Sequence, residues 1–535
     1  IYTSALRRGL HPRYLRDGFE HSLQLEVLRL SVLNVDERVA YWPAFDAEQR
    51  DLEDLDLPYF WALTDGTELH DSRGLAVGAF NSTSAYDQVI DRLGLFDRND
   101  RDHQESLIRF IYAYSAGPIA TVGPAPVATV RAAPVAGGPT FDASDALAEA
   151  RAIANALESL VLRRADGSAQ WVGVDRARSL AGLVLRGIGD RLYDGRAGTA
   201  LFLAALDAVC ATGHTALAAE ALEPMRRTLR DERQRARLTS EIGIGAGFGV
   251  GGFVYTLGQI GRLSGDARWI DDAIHAARAV TPARIAGDTG LEVLGGSAGA
   301  ALALSSLWNI TGDRWLLERA DACGRHLLAS AAREPVTGRA VWRLQGGQFG
   351  TGFAHGAGGI GAALLRLATA TDDDRFAAAA DEAFAFEAAV RDSNALASAH
   401  LAAASAKARS ESPWMQTWCN GPVGVAIARG VYGSSAPAGA VELAGSPDVT
   451  TSPDHPCCGT LGRAELLLVA GSAEAARTVA GSVVARARAR GSYEISRDVP
   501  EARIAPSFFQ GLSGIGYQLL RITHPRRLPS VLAIE

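Results

Sequence analysis

The chain has 535 residues, 47% of them apolar and 21% charged, with a net charge of −7 at pH 7. This composition excludes a disordered chain, and the length implies two or three domains, or one large repeat domain with a smaller companion. No basic stretch offers a nucleic-acid footprint, and no run reaches the roughly 18–20 consecutive apolar residues of a membrane span. No signal peptide opens the chain. It begins at Ile1 in polar, helix-like text, and a fragment is expected, with its missing part upstream. Five cysteines are present: Cys210, Cys323, Cys419, Cys457 and Cys458. An odd count at low density is no disulfide framework, so a reducing, cytoplasmic setting is expected.

Residues 1–114 form a first, mainly helical block. Its segment 85–114 carries apolar residues at helical spacing: Val89, Leu93, Leu95, then Leu107, Ile108 and Ile111. Residues 115–142 are rich in Pro, Gly, Ala and Val with hardly any charge, which predicts a linker. A second block, 143–535, opens with a predicted helix from about Asp145 to Arg163, capped by Asp142 or Ser144.

One pattern then recurs. Gly-x-x-Gly precedes a mostly apolar, helix-like run, starting at Gly195, Gly249, Gly296, Gly356, Gly421, Gly459 and Gly511. The starts lie 54, 47, 60, 65, 38 and 52 residues apart, room for one inner helix, one outer helix and two loops per repeat. A helix apolar nearly all round must be buried on all sides. The fold class expected is therefore all-α, a double-layered toroidal barrel of seven α/α repeats. Segments such as 268–280 and 314–330 are amphipathic and would cover it. The glycines permit tight turns and close backbone approach, and all seven helix N-termini would face one end.

That register gathers chemistry. Cys419 stands just before the fifth Gly-x-x-Gly, Cys457 and Cys458 just before the sixth, and His355 just before the fourth. Three thiolates are standard ligands for one zinc, and helix N-termini favour thiolate over thiol. His455, three residues before Cys458, is a candidate fourth ligand. His355 suits an acid/base role. Asp194 and Glu292 precede the first and third Gly-x-x-Gly and face the same cavity or merely cap helices. Cys210 and Cys323 lie in helix-like runs and read as core cysteines.

The second block resembles the lanthionine cyclase domain of class II lanthipeptide synthetases. The resemblance rests on Leu192-Tyr-Asp-Gly195, Phe353-Ala-His-Gly356, Trp418-Cys-Asn-Gly421, Cys457-Cys-Gly459 and the closing run from Ser507 to Leu532. The Cys-Cys-Gly form matches class II enzymes; stand-alone class I cyclases have Cys-His-Gly there. Block 1, with Asp56-Leu-Pro-Tyr-Phe60, is similar to the tail of the kinase-like dehydratase domain of the same enzymes. The resemblance implies one Zn²⁺ on Cys419, Cys457 and Cys458, with His355 and Glu292 as catalytic residues. It implies a ribosomally made precursor peptide with a leader as substrate, and a lanthipeptide exporter as a further partner. The peptide's cysteine thiolate would add to dehydroalanine or dehydrobutyrine, and His355 would serve the proton transfer. ATP and Mg²⁺ would serve only the missing dehydratase part, since residues 1–112 hold no Gly-rich loop or metal-binding acid pair.

Glu292 stands where the family commonly has Asp. Met415 and Asn420 stand where class I cyclases have Arg and Tyr, so those roles do not carry over. The alternatives are another zinc α/α barrel such as a protein prenyltransferase, a non-zinc α/α glycosidase, and a catalytically silent peptide-binding scaffold. The three cysteines argue against the first two.

Overall fold

The computed structural model describes residues 2–25, 42–79, 82–94, 141–164, 166–176, 183–334, 338–343, 349–392, 417–433, 452–495 and 505–535, with scattered positions between 96 and 108. The chain divides into two units, Ile1–Glu105 and Ser106–Glu535. The expected linker lies outside the described residues up to position 140.

In the first unit, helices Tyr2–Gly9, Gly18–Leu25 and Trp42–Glu53 precede an antiparallel hairpin, Glu68–His70 with Ala76–Ala79. Asp71 holds the hairpin turn. Its carboxylate accepts from the backbone N–H of Arg73 and Leu75 at 3.0 and 2.8 Å and from Arg50 at 2.9 Å. Of the helix expected over 85–114, the continuous described part is Ala85–Gly94, and its Tyr86, Val89, Ile90 and Leu93 are exposed.

The second unit opens at helix Ala143–Ser159, where Asp142 and Asp145 form a reciprocal capping box. The helix stops short of the expected Arg163. There the chain enters a tight hairpin, Leu162–Arg163 with Ala169–Gln170, turned by Gly167 at φ 77°. Among the described residues, two further hairpins, Val172–Arg176 with Leu183–Gly187 and Ala332–Arg333 with Ala340–Val341, stand between the helices.

The inner helices are Arg196–Cys210, Val250–Ser264, Ser297–Thr311, Ala357–Thr371, Pro422–Tyr432, Thr460–Val469 and Leu512–Thr523. The first glycine of each Gly-x-x-Gly is the N-cap. Among the described residues each inner helix packs on the next and the last packs on the first, so the ring closes. Thr199 Oγ1 donates to the Pro506 carbonyl at 2.9 Å across that closure. Helices Thr215–Arg230, Ala267–Ala277, Arg314–Ala329, Asp374–Asp392 and Ala473–Arg490 back the first, second, third, fourth and sixth inner helices, and Ala143–Ser159 backs the seventh. The stretch after the fifth, 434–451, lies outside the described residues.

The glycines answer a steric demand. The N-cap glycines have ordinary extended backbone, with φ between −103° and −152°. At the second glycine, however, a β-carbon would land on the carbonyl oxygen three residues before the first: Leu192 at Gly198, Val293 at Gly299, Phe353 at Gly359, Phe508 at Gly514. The same clash recurs at Gly252, Gly424 and Gly462. Each loop thus folds its own carbonyl onto the first helical turn.

That fold-back aligns the seven loops for a closed belt of backbone hydrogen bonds. Tyr193 N–H donates to Gly247 (3.3 Å), Gly247 to Leu294 (3.0 Å), Leu294 to Ala354 (3.4 Å) and Ala354 to Cys419 (3.0 Å). Trp418 then donates to Cys457 (2.9 Å), Cys457 to Phe509 (3.0 Å) and Phe509 back to Tyr193 (3.2 Å). Every acceptor stands two residues before a capping glycine.

The C-terminal residues Leu528 and Ser530–Ile534 are buried in this unit, with Pro529 half-buried between them. Donors from the inner ring take their carbonyls: Trp418 Nε1 to Leu532, Tyr432 Oη to Ala533 and Tyr517 Oη to Pro529, each at 2.7 Å. Arg521 and Glu465, a buried pair at 2.8 Å on the seventh and sixth inner helices, also hold this tail: Glu465 accepts from Ser530 Oγ at 2.6 Å and Arg521 donates to the Leu528 carbonyl.

Gly359→Ala should cost about 3 kcal/mol or more, because backbone must move. Gly265→Ala, at φ 71° with open space around it, should cost only about 1–2 kcal/mol. Urea melts of the two variants check this contrast.

Candidate metal centre

Cys419 and Cys457 occupy the same belt position in neighbouring loops, two residues before Gly421 and Gly459, and Cys458 follows directly. The Trp418–Cys457 belt bond holds the two loops at 2.9 Å. The three sulfurs therefore meet. Cys457 and Cys458 Sγ are 3.4 Å apart, Cys419 and Cys458 Sγ 3.5 Å, and all three lie within 4.8 Å of one another. Thiolates at roughly 2.3 Å from a tetrahedral metal stand roughly 3.8 Å from each other, so the cluster fits such an ion after a small expansion. Cys419 and Cys457 are buried, while Cys458 is partly exposed and marks the open side.

The thiols share charge unequally. Hydrogen bonds from Cys457 and Cys458 hold the Cys419 thiol far below the usual thiol range. Cys457 is pushed well above it by its bonds to Cys419 and Cys458 and by burial. One thiolate forms readily, and a nearby cation is what allows the others to follow.

Two hydroxyls approach the cluster. Tyr193 Oη lies 3.2 Å from Cys457 Sγ, with its ring stacked on Phe509 at 4.9 Å and edge-on to Phe248 at 5.2 Å. Burial above all keeps that hydroxyl protonated, well above its ordinary pKa. Thr417 Oγ1 lies 3.7 Å from Cys419 Sγ and accepts from Asn420 N–H at 3.4 Å.

His355 Nδ1 sits 3.1 Å from Glu292 Oε2. Glu292 is itself fixed by the N–H groups of Leu294 (3.2 Å) and Gly295 (2.5 Å), and follows Leu291, whose φ of 56° is unusual for leucine. Burial works against the charged imidazole, but the bond and charge of Glu292, aided by Cys419, outweigh it and raise the His355 pKa above its ordinary value. With Nδ1 engaged, Nε2 is the nitrogen left for chemistry. The His355 side chain is 43% exposed against 13% for Glu292.

Glu387, on the outer helix Asp374–Asp392, reaches the same loop from behind. Its Oε1 accepts from Gly352 N–H at 2.8 Å and Gly358 N–H at 2.7 Å, on either side of His355. Burial pushes this carboxyl up to about 7.

The other candidates stand apart. His455 is buried, its Nδ1 accepts from Cys458 N–H at 3.4 Å, and burial draws its pKa down to about 4. Among the described residues no imidazole or carboxylate joins the three sulfurs. Asp194 pairs with Arg191 at 3.9 Å, both about half exposed. Asn420 is exposed, and Met415 lies outside the described residues. Cys323 is fully buried, and Cys210 donates to the Leu206 carbonyl at 3.2 Å. Sequence reasoning missed Tyr193, Thr417 and Glu387. For Tyr193 a signal existed: it holds the same place before Gly195 that Cys419 and Cys457 hold before Gly421 and Gly459.

Two titrations test these electrostatics. Glu292→Gln removes the charge that holds the His355 proton, so the imidazole midpoint followed by NMR should fall. The Glu387 carboxyl has a folded pKa raised from 4.5 to about 7, so its contribution to stability falls as pH rises across that window and is level above it. Glu387→Gln keeps the acceptor oxygen and removes the ionisation. Its urea midpoints should lack that slope.

Residues 188–533 match the protein family described as lanthionine synthetase C-like. No curated protein matches the chain. No helix among the described residues is long and apolar enough to cross a membrane. The matched region spans more than half of the chain and contains the belt, the three grouped thiols and the His355–Glu292 pair, and the chain belongs to the lanthionine synthetase C-like family.

Proposed function

We propose that the second unit is a zinc-dependent lanthionine cyclase of the class II type. Its substrate is a dehydrated, ribosomally made precursor peptide with a leader. The observation that carries this is the meeting of Cys419, Cys457 and Cys458 at the helix N-termini, at the same end as His355 and Glu292. Zn²⁺ on the three thiolates would supply Lewis-acid activation of a peptide cysteine thiol at an open fourth position.

The chain's own residues do the rest. The partly exposed side of the cluster, at Cys458, admits the peptide sulfur. That sulfur adds to the β-carbon of dehydroalanine or dehydrobutyrine; a C–S bond forms and the alkene π pair moves to the α-carbon as an enolate. His355, whose charged form Glu292 favours, delivers the proton that the α-carbon takes up. The thiol proton lost at the start balances it, so the reaction is a net addition that needs no redox partner. Glu292 fixes the ring through Nδ1 and leaves Nε2 to carry the proton.

The first unit is the tail of a kinase-like dehydratase in this proposal. The activity proposed for the second unit is cyclisation, a step that uses neither ATP nor Mg²⁺.

Metal analysis and one assay test the proposal. The chain is mixed with a chemically dehydrated peptide bearing a free cysteine, and thiol loss and ring formation are followed by mass spectrometry after alkylation. About one zinc per chain is expected, with metal and cyclisation both lost in Cys458→Ala. His355→Phe should keep its zinc and lose about 10²–10⁴ in rate. Absence of zinc in the unaltered protein would overturn the proposal, and zinc without ring formation would favour a peptide-binding scaffold.

A further inference from the structure

The thiolate cluster poses a charge problem. Three thiolates around a divalent cation leave a net charge of −1, and a peptide thiolate in the fourth position makes it −2. Cys457 is only 1% exposed, so water cannot solvate its share of that charge.

We propose that the Tyr193 hydroxyl donates a hydrogen bond to the Cys457 thiolate and, with Thr417 on Cys419, draws off enough sulfur charge to keep the metal electrophilic. This rests on the zinc proposal above. Tyr193 acts through Cys457 and is a positioning residue.

The geometry supports it at each step. A metal-bound thiolate has no proton, so in the 3.2 Å contact between Tyr193 Oη and Cys457 Sγ the tyrosine is the donor. The hydroxyl cannot swing away. Its ring is clamped between Phe509, parallel within 9°, and the edge contact with Phe248. Its backbone is held on both sides by the belt, donating to Gly247 and accepting from Phe509. Thr417 is oriented likewise. Its oxygen accepts the Asn420 N–H, and against a thiolate its O–H is the donor across the 3.7 Å contact with Cys419 Sγ. Partners outside the ligands commonly change metal affinity or activity by 10–100-fold.

The test uses the full chain and Tyr193→Phe, which keeps both ring contacts and removes only the hydroxyl. Each is titrated with Co²⁺ and then with Zn²⁺ against a chromophoric chelator. The variant should take up one cobalt, with its sulfur-to-metal charge-transfer band at lower energy because the sulfur is more electron-rich. Its zinc affinity should fall about 10–100-fold. A purely structural role would lower the melting temperature and leave the band in place. Thr417→Val should move the band in the same direction, and it decides the matter should Tyr193→Phe fail to fold. An unchanged band and affinity would overturn the inference while leaving the zinc proposal standing. If the unaltered chain shows no thiolate–cobalt band, the zinc proposal falls and this inference falls with it.

Discussion

The backbone belt is the constraint on which the rest of the second unit depends. Main-chain N–H and C=O groups must be paired when buried, and the seven loops satisfy one another in a closed circuit. Because the circuit uses only main-chain atoms, it does not itself dictate the belt side chains; the exception is Gly247, where a β-carbon would run into the Leu294 side chain. The positions themselves are fixed by hydrogen bonds of 2.9 to 3.4 Å. The glycines belong to the same device, since a loop whose carbonyl rests on the first helical turn has no space for a β-carbon. A change of residue at a belt position therefore changes chemistry with little change of shape. Cysteine there twice, followed by one more, makes a thiol cluster, whereas glycine, leucine and alanine at the equivalent places make inert wall.

Electrostatics then distinguish the two halves of the site. The thiols lie where burial opposes charge, and three thiolates would be tolerable there only with mutual hydrogen bonding, nearby hydroxyls and a cation. The histidine loop is arranged in the opposite sense. Two carboxylates secure it, Glu292 from the preceding inner loop and Glu387 from the outer layer. Glu292 bonds the imidazole and favours its charged form. Glu387 bonds only the backbone and holds the loop in place. His355 is thus supported by two acids with separate tasks.

Much of this was legible in the sequence, for physical reasons. The repeat was legible because the steric need for the second glycine is the same in all seven loops. The inner helices were legible because burial on every side leaves all-round apolar text. The cysteines and His355 were legible because the repeat register placed them together. Two of the hairpins were not, since strands of two residues such as Leu162–Arg163 and Ala332–Arg333 leave no alternation to detect. Tyr193 was hidden by its type, because an aromatic residue before a buried helix reads as packing. Glu387 was hidden by its place, because an acid on an amphipathic outer helix reads as a solvated charge. Asp194 shows the converse: the right register, but a carboxylate spent on a surface pair with Arg191.

Ring closure has a consequence for how the protein is made. The bond between Thr199 and Pro506 joins residues 307 apart. At about 5–20 residues per second, a ribosome takes roughly 15–60 s to extend the chain by that distance. For that interval the first inner helix, whose Leu201, Phe202 and Leu203 end fully buried, has no seventh helix to cover one of its flanks. Tyr193 likewise waits for Phe509, its stacking partner and belt donor. The belt cannot exist in part at its closing joint. Native thiol geometry is therefore one of the last things the nascent chain acquires.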